Sequence, residues 1–237
     1  MEESLLKTIA ALAYGYLLGS VPLAYVIGRL VKHIDIRKVG SGTVGASNVW
    51  YNVGKFWILP LGAFDVFVKG LTPVYLARLL GLGIEVQAVA GLLAVAGHNW
   101  PVYLGFKGGR GVAPTVGVLL ALARLELAVF IVLATAGWRL TNSAALWVFF
   151  GFLSLPLLAL YFDRHIAVVG MLTGLLLITV IKRLTSNELK GRGVSLPRLL
   201  WNRLLFDRDI QDHEAWVRRN TVPIAVKIPP EQSREQE

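Results

Sequence analysis

Cysteine is absent from all 237 residues. That excludes disulfides, thiolate nucleophiles and thiolate-bound metals, and it leaves the redox compartment undetermined. Charge is scarce as well: Asp, Glu, Lys and Arg make up 16% of the chain, where a soluble domain carries about 25%. Histidine occurs only four times, in no H-E-x-x-H pair and in no H-x4-D box, and no G-x-S-x-G elbow is present. Any acyl transfer would therefore need a donor that is already activated. His and carboxylate residues nowhere take metal-ligand spacing, so neither a metal nor a cofactor is expected. The net charge of +9 comes without a basic stripe interleaved with aromatics, so no nucleic-acid partner is implied.

What is present is apolar sequence in long runs. Residues 1–181 hold 13 Lys/Arg and 7 Asp/Glu, whereas residues 182–237 hold 11 and 8. The first part reads as membrane-embedded and the second as a soluble tail. A crossing needs about 20 mostly apolar residues, fewer where the membrane is thin. The runs 5–27, 56–80, 84–100, 112–123, 125–138, 144–161 and 166–181 predict an all-α, polytopic bundle of about seven transmembrane helices. The first run follows Met-Glu-Glu and is too long for a signal-peptide h-region, so it is expected to remain as a helix. With seven crossings, Arg29, Lys32, Arg37, Lys38, Lys107, Arg110, Arg139 and the basic tail share one side. The positive-inside rule makes that side cytoplasmic and puts the N-terminus outside. The expected organisation is a transmembrane domain over 1–188 and a cytoplasmic tail over 189–237.

Two polar segments interrupt the apolar runs on the cytoplasmic side. "DIRKVGSGTVGASN" (35–48) and "GHNWPVYLGFKGGRGVAPT" (97–115) combine fixed cations with glycines whose amides can approach an anion. The second opens a helix near Val112, and free amides at a helix start favour phosphate. Its spacing is not that of a P-loop. A basic turn obeying the positive-inside rule would look much the same alone; two such loops on one face favour a shared anion site. Asp65 and Lys69, four apart within a span, can pair on one helix face. They read either as a functional intramembrane group or as a neutralised brace. His98 is either a local hydrogen-bonding residue or a base. Ser20 precedes Pro22, which frees backbone groups beside it. Trp50, Tyr51, Trp57, Trp100 and Tyr103 fit an interfacial aromatic belt.

Taken in order, "YLLGSVPLAYVIGRL", "DIRKVGSGTVGASN", "FDVFVKG" and "GHNWPVYLGFKGGRGVA" resemble the bacterial acyl-phosphate:glycerol-3-phosphate acyltransferase family. The likeness is close over about residues 14–115 and looser beyond. It implies a seven-span inner-membrane enzyme that takes an acyl group from acyl phosphate to the first hydroxyl of glycerol 3-phosphate, giving lysophosphatidic acid. An acyl phosphate is a mixed anhydride with a good leaving group, so no covalent enzyme intermediate is needed, only alignment and charge stabilisation. Carried over by motif, Ser20, Arg37, Ser41, His98 and Lys107 are the implied catalytic residues. Gly40, Gly42, Asn48, Gly108, Gly109, Arg110 and Gly111 are the implied phosphate-binding ones. The implied partners are acyl phosphate, glycerol 3-phosphate and membrane lipid. The chain departs from the family at Thr43 (usually Asn), Ser47 (usually Thr), Arg110 (usually Lys) and Pro114 (usually Thr). A serine and an asparagine of the later motifs have no counterpart in register, the nearest substitutes being Ser143, Ser154 and Asn187. A diverged paralogue with another donor or acceptor, or a transporter of a phosphorylated solute, are the competing readings; the latter typically has internal repeats, and none is found. In the tail, residues 196–206 carry apolar groups and arginines at helical spacing. They are expected either to lie in the headgroup layer or to pack on the cytoplasmic loops.

Overall fold

The computed structural model describes residues 2–185, 195–209 and 216, and among these the regular structure is all helical, with no strand. Its α-helices are α1 (Glu2–Gly19), α2 (Leu23–Lys32), α3 (Ala46–Asn52), α4 (Ile58–Ala63), α5 (Thr72–Leu79), α6 (Ile84–Asn99), α7 (Val112–Leu122), α8 (Arg124–Thr141), α9 (Ala144–Tyr161), α10 (Ile166–Thr185) and α11 (Leu196–Phe206). A π-helical stretch, Phe64–Leu71, joins α4 to α5. Four segments are long and apolar enough to cross a membrane: Glu2–Lys32, Lys55–Leu79, Ala144–Tyr161 and Ile166–Thr185. Of the other expected spans, α6 has 16 residues and α7 has 11, short of the about 20 that a full crossing takes. α8 has 18 but includes Arg124, Glu126 and Arg139.

The expected first span, 5–27, is not one helix. Pro22 has no N–H for the carbonyl of Leu18, and α1 stops at Gly19 before α2 starts at Leu23. The break falls on Ser20, whose side chain is fully buried. α1 packs along α6 through small residues. A Cβ on Gly19 would strike the Ala94 carbonyl, and one on Gly97 the Tyr16 carbonyl. Such close crossings hold helices together in lipid, where no hydrophobic force does. The same contact sets Ser20 beside the end of α6.

The main core joins α5 to α10 through Val74, Val95, Leu119, Phe130, Phe152, Leu155, Leu172 and Leu175. Phe130 and Phe152 meet edge-on, with centroids 5.3 Å apart. A smaller cluster of Ile27, Ile36, Val39, Val44, Val49 and Leu61 lies under the first glycine loop. Few as they are, the apolar residues of that loop therefore anchor it.

The turns sort to the two ends of the bundle. At one end the first loop touches the second, Val44 N–H donating to the Gly108 carbonyl at 3.4 Å. Arg183, at the end of α10, reaches the Ala145 carbonyl and the carbonyls of Leu204 and Leu205 in α11. Elsewhere Arg164 clamps the buried Glu126 with a fork at 2.7 and 3.1 Å. Of the two readings for 196–206, the structure has α11 packed on α9 and α10, with Leu199 buried and Leu196 and Trp201 exposed. The expected boundary at 188/189 and Asn187 lie outside the described residues.

Candidate active site

The break after α1, the π-helical stretch and the end of α6 converge on one small cleft. Ser20, Pro22, Val44, Asp65, Lys69, His98, Pro101 and Gly108 are among the residues lining it.

π-helical geometry is rare and is frequently found at functional sites. Here it carries Asp65 and Lys69 in register, with Nζ 2.8 Å from Oδ1 and both side chains 3% exposed. His98 Nδ1 lies 3.4 Å from the Lys69 amine and 3.8 Å from the Asp65 carboxylate. The three thus form one desolvated polar cluster. α7 lies close against the π-helical stretch because residue 117 is glycine: a Cβ there would strike the Val66 carbonyl. Ser20 Oγ donates back to the Tyr16 carbonyl at 2.8 Å, which leaves its lone pairs to the cleft.

The first loop is built around Asp35 and Asn48. Asp35 accepts from the Arg37 backbone at 3.0 Å and from its guanidinium at 2.9 and 2.8 Å. These bonds hold the Asp35 carboxyl down at about 2, against burial, which pushes it up; the same hydrogen bond raises Arg37. Asp35 thus occupies the Nε and Nη2 edge of the fork, and the Tyr25 ring lies 5.0 Å from its centre. The Nη1 group is left for another anion. Gly40 and Gly42 turn through φ of 55° and 71°, a region that costs other residues strain. Ser41 Oγ and Thr43 Oγ1 are 2.8 Å apart, so Thr43 joins the loop's own hydroxyl pair. Asn48 faces inward: Nδ2 lies 2.9, 3.1 and 3.0 Å from the Ile36, Val39 and Thr43 carbonyls. Its Oδ1 accepts from Asn52 at 2.7 Å. Its amide staples the loop.

The second loop returns under α6, with Gly109 N–H donating to the His98 carbonyl at 3.0 Å. A Cβ on Gly108 would strike that carbonyl, and one on Gly109 the His98 imidazole. Gly111 caps α7 at φ 73°. Pro114 falls in the first turn of α7, where proline's missing N–H costs nothing. Lys107 stands exposed at the rim. Arg110 turns away from the cleft to Asp207, at 2.8 Å.

The structure therefore brings Ser20, His98 and Gly108 together in one cleft. Arg37, Ser41, Lys107 and Arg110 do not line it. Five groups outside the expected set belong to this neighbourhood. Asp65 and Lys69 line the cleft, and their sequence signal was ionisable residues in an apolar run. Asn99 is fully buried, and neither polar atom of its carboxamide has a hydrogen-bond partner among the described residues. The Thr115 hydroxyl is in the same condition. Such groups are rarely left orphaned, and Asn99 abuts Gly111 at the start of α7. Lys182, from α10, donates to the Asn99 carbonyl and lies over the Trp100 ring at 5.3 Å. Ser154 bonds back to Gly151 within α9 at 2.8 Å, and Ser143 precedes the same helix.

Comparison with known proteins follows the same lines. Residues 9–189 match the family described as Glycerol-3-phosphate acyltransferase. Glycerol-3-phosphate acyltransferase 4 of Dehalococcoides mccartyi (strain CBDB1) is 42% identical over 215 residues, covering 87% of this chain and 91% of the relative. Glycerol-3-phosphate acyltransferase 5 of the same species (strain ATCC BAA-2266 / KCTC 15142 / 195) is 41% identical over 228 residues, covering 93% and 96%. Among solved structures, PlsY (YgiH), an integral membrane glycerol 3-phosphate acyltransferase, in its glycerol 3-phosphate form superposes with a TM-score of 0.69. That match has 30% identity and covers 74% of this chain and 88% of the other. The lysophosphatidic acid form of PlsY has the same TM-score, with 27% identity and coverage of 84% and 97%. The match runs through both glycine loops and the helices that hold them, and the chain belongs to the glycerol-3-phosphate acyltransferase family.

Proposed function

We propose that the chain transfers the acyl group of an acyl phosphate to the first hydroxyl of glycerol 3-phosphate, giving lysophosphatidic acid and inorganic phosphate. The observation that carries this is the joining of two cation-bearing glycine loops, through Val44 and Gly108, at the mouth of a cleft holding Ser20, His98, Lys69 and Asp65. The hydroxyl oxygen attacks the acyl carbon, the bond from that carbon to the phosphate oxygen breaks, and phosphate leaves with the electron pair and takes up the proton that the hydroxyl gives up. Arg37 through its Nη1 group and Lys107 hold the two phosphate groups, and Gly40, Gly42, Gly108, Gly109 and Gly111 let them approach the backbone closely. Ser20 and His98 flank the reacting centre. Positioning and preorganised charge then supply the rate. Asn48 serves by shaping the loop.

The protein crosses the membrane seven times, α6, α7 and α8 included, with its N-terminus outside and residues 189–237 cytoplasmic. Both glycine loops open to the cytoplasm of a bacterial inner membrane, where anionic substrates arrive and the acylated product stays in lipid. The test is lysophosphatidic acid formation by purified protein given acyl phosphate and glycerol 3-phosphate, with acyl-CoA and acyl carrier protein thioesters run alongside. Product from acyl phosphate alone is expected. Product only from a thioester, or only with another acceptor, refutes this assignment.

A further inference from the structure

α11 lies beyond the residues that match the family, which end at 189, yet it reaches the second glycine loop. Asp207, the residue that ends α11, holds a left-handed φ of 56° and accepts from Arg110 Nε at 2.8 Å. Arg110 Nη1 donates onward to the Lys182 carbonyl at 3.3 Å. Arg110 stands between Gly109 and Gly111, and Asp207 is its anionic partner.

The anchoring of α11 is costly and specific. Arg203, 1% exposed, forms an ion pair with the fully buried Asp209 at 2.7 Å and donates to the Leu184 carbonyl at 2.9 Å. From the other direction Arg183 donates to the Leu204 and Leu205 carbonyls at 2.6 and 3.2 Å. Two desolvated guanidinium groups thus lock the last turn of α11 to the end of α10. A helix meant to swing off the loop would not be tied down by groups whose release leaves buried charge unpaired. A rigid mount, by contrast, delivers a carboxylate at fixed geometry.

We propose that Asp207 is a positioning residue for the acyltransferase site: mounted on α11, it fixes the Arg110 guanidinium and through it the Gly108–Gly111 backbone that receives the phosphate of glycerol 3-phosphate. With Nε on the Asp207 carboxylate and Nη1 on the Lys182 carbonyl, the guanidinium is fixed at two points. The inference rests on the proposed activity only for its kinetic readout.

The test compares full-length wild type with Asp207→Asn, Asp207→Glu, Arg110→Gln and the Asp207→Asn/Arg110→Gln double variant. Asp207→Asn is expected to raise the KM for glycerol 3-phosphate about tenfold while kcat moves less than about threefold, the loss of one charge-assisted hydrogen bond acting on binding. Asp207→Glu recovers most of that KM. In the Arg110→Gln background, Asp207→Asn adds less than about twofold, because the two act as one unit; a merely structural Asp207 would add its full effect there. A second readout needs no turnover: amide exchange of residues 107–112 should rise about fivefold or more in Asp207→Asn while that of α9 stays unchanged. If wild type makes no lysophosphatidic acid, the activity assignment fails and the exchange comparison still decides the inference. An unmoved or lowered KM in Asp207→Asn with exchange as in wild type overturns it.

Discussion

Asp65→Asn tests whether the charge cluster behind the cleft is a brace or part of the machinery. Lys69 Nζ and Asp65 Oδ1 are 2.8 Å apart with 3% of each side chain exposed, so the substitution leaves a buried ammonium without its counter-charge. Breaking a buried pair from one side costs about 3–5 kcal/mol, whereas replacing both members with apolar groups of similar volume is often neutral or stabilising. For a chain of this size that loss is a fall of roughly 6–20 °C in the thermal midpoint. The Asp65→Leu/Lys69→Met double variant should recover most of it. The assay is the midpoint of the detergent-solubilised protein followed by size-exclusion chromatography, paired with lysophosphatidic acid formation. Both charges face the cleft beside Ser20, so the double variant should lose turnover by at least ~100-fold while staying folded, about 2.7 kcal/mol of transition-state stabilisation. A midpoint within about 2 °C of wild type for Asp65→Asn would mean the pair is not desolvated as the geometry requires. Full turnover from a folded double variant would make it a brace and nothing more.

Arg37→Ala and Lys107→Ala should each lower turnover by at least ~100-fold with the fold intact, since both lie in loops; wild-type rates from either would remove that loop from the phosphate site. Gly97→Val should prevent recovery of folded protein from detergent extracts, because its Cβ meets the Tyr16 carbonyl and Ser20 backbone and α1 cannot move off α6 without opening the interface; normal yield and melting would refute the packing. The Asp35 carboxyl sits near 2 when folded against 3.8 as its ordinary value. Its stabilisation of the loop is therefore complete above about pH 4 and lost as pH falls from there through about pH 2. Amide exchange over residues 35–44 should follow that window in wild type and lose this component in Asp35→Asn. Lys38→Cys and Lys107→Cys, both at exposed positions in a chain without native cysteine, should resist an impermeant thiol reagent in intact cells and react once the cytoplasmic face is opened; labelling of either from outside overturns the orientation.

The amino-acid sequence alone determined that this chain is helical and lives in a membrane, because apolar run length and charge placement are properties of local sequence that lipid reads directly. It also marked both glycine loops, since glycine at a left-handed turn and cations beside it are visible one residue at a time. It did not reveal that 5–27 is two helices, although Pro22 carries the signal; a proline's effect depends on whether neighbours satisfy the groups it frees. Which expected residues would face one another was a tertiary matter. Ser20 meets His98 because Gly19 and Gly97 let two helices touch, and Asn48 turns inward because three carbonyls, from Ile36 to Thr43, converge on its amide. Asp65 and Lys69 could be read from sequence as a pair, but only the approach of α6 put His98 against them and made the pair a wall of the cleft. Asp207 lies 97 residues beyond Arg110, and no spacing rule connects them. Contacts that distant are decided by how buried groups find partners across the whole fold, which is why the tail's reach to the second loop appears only in three dimensions.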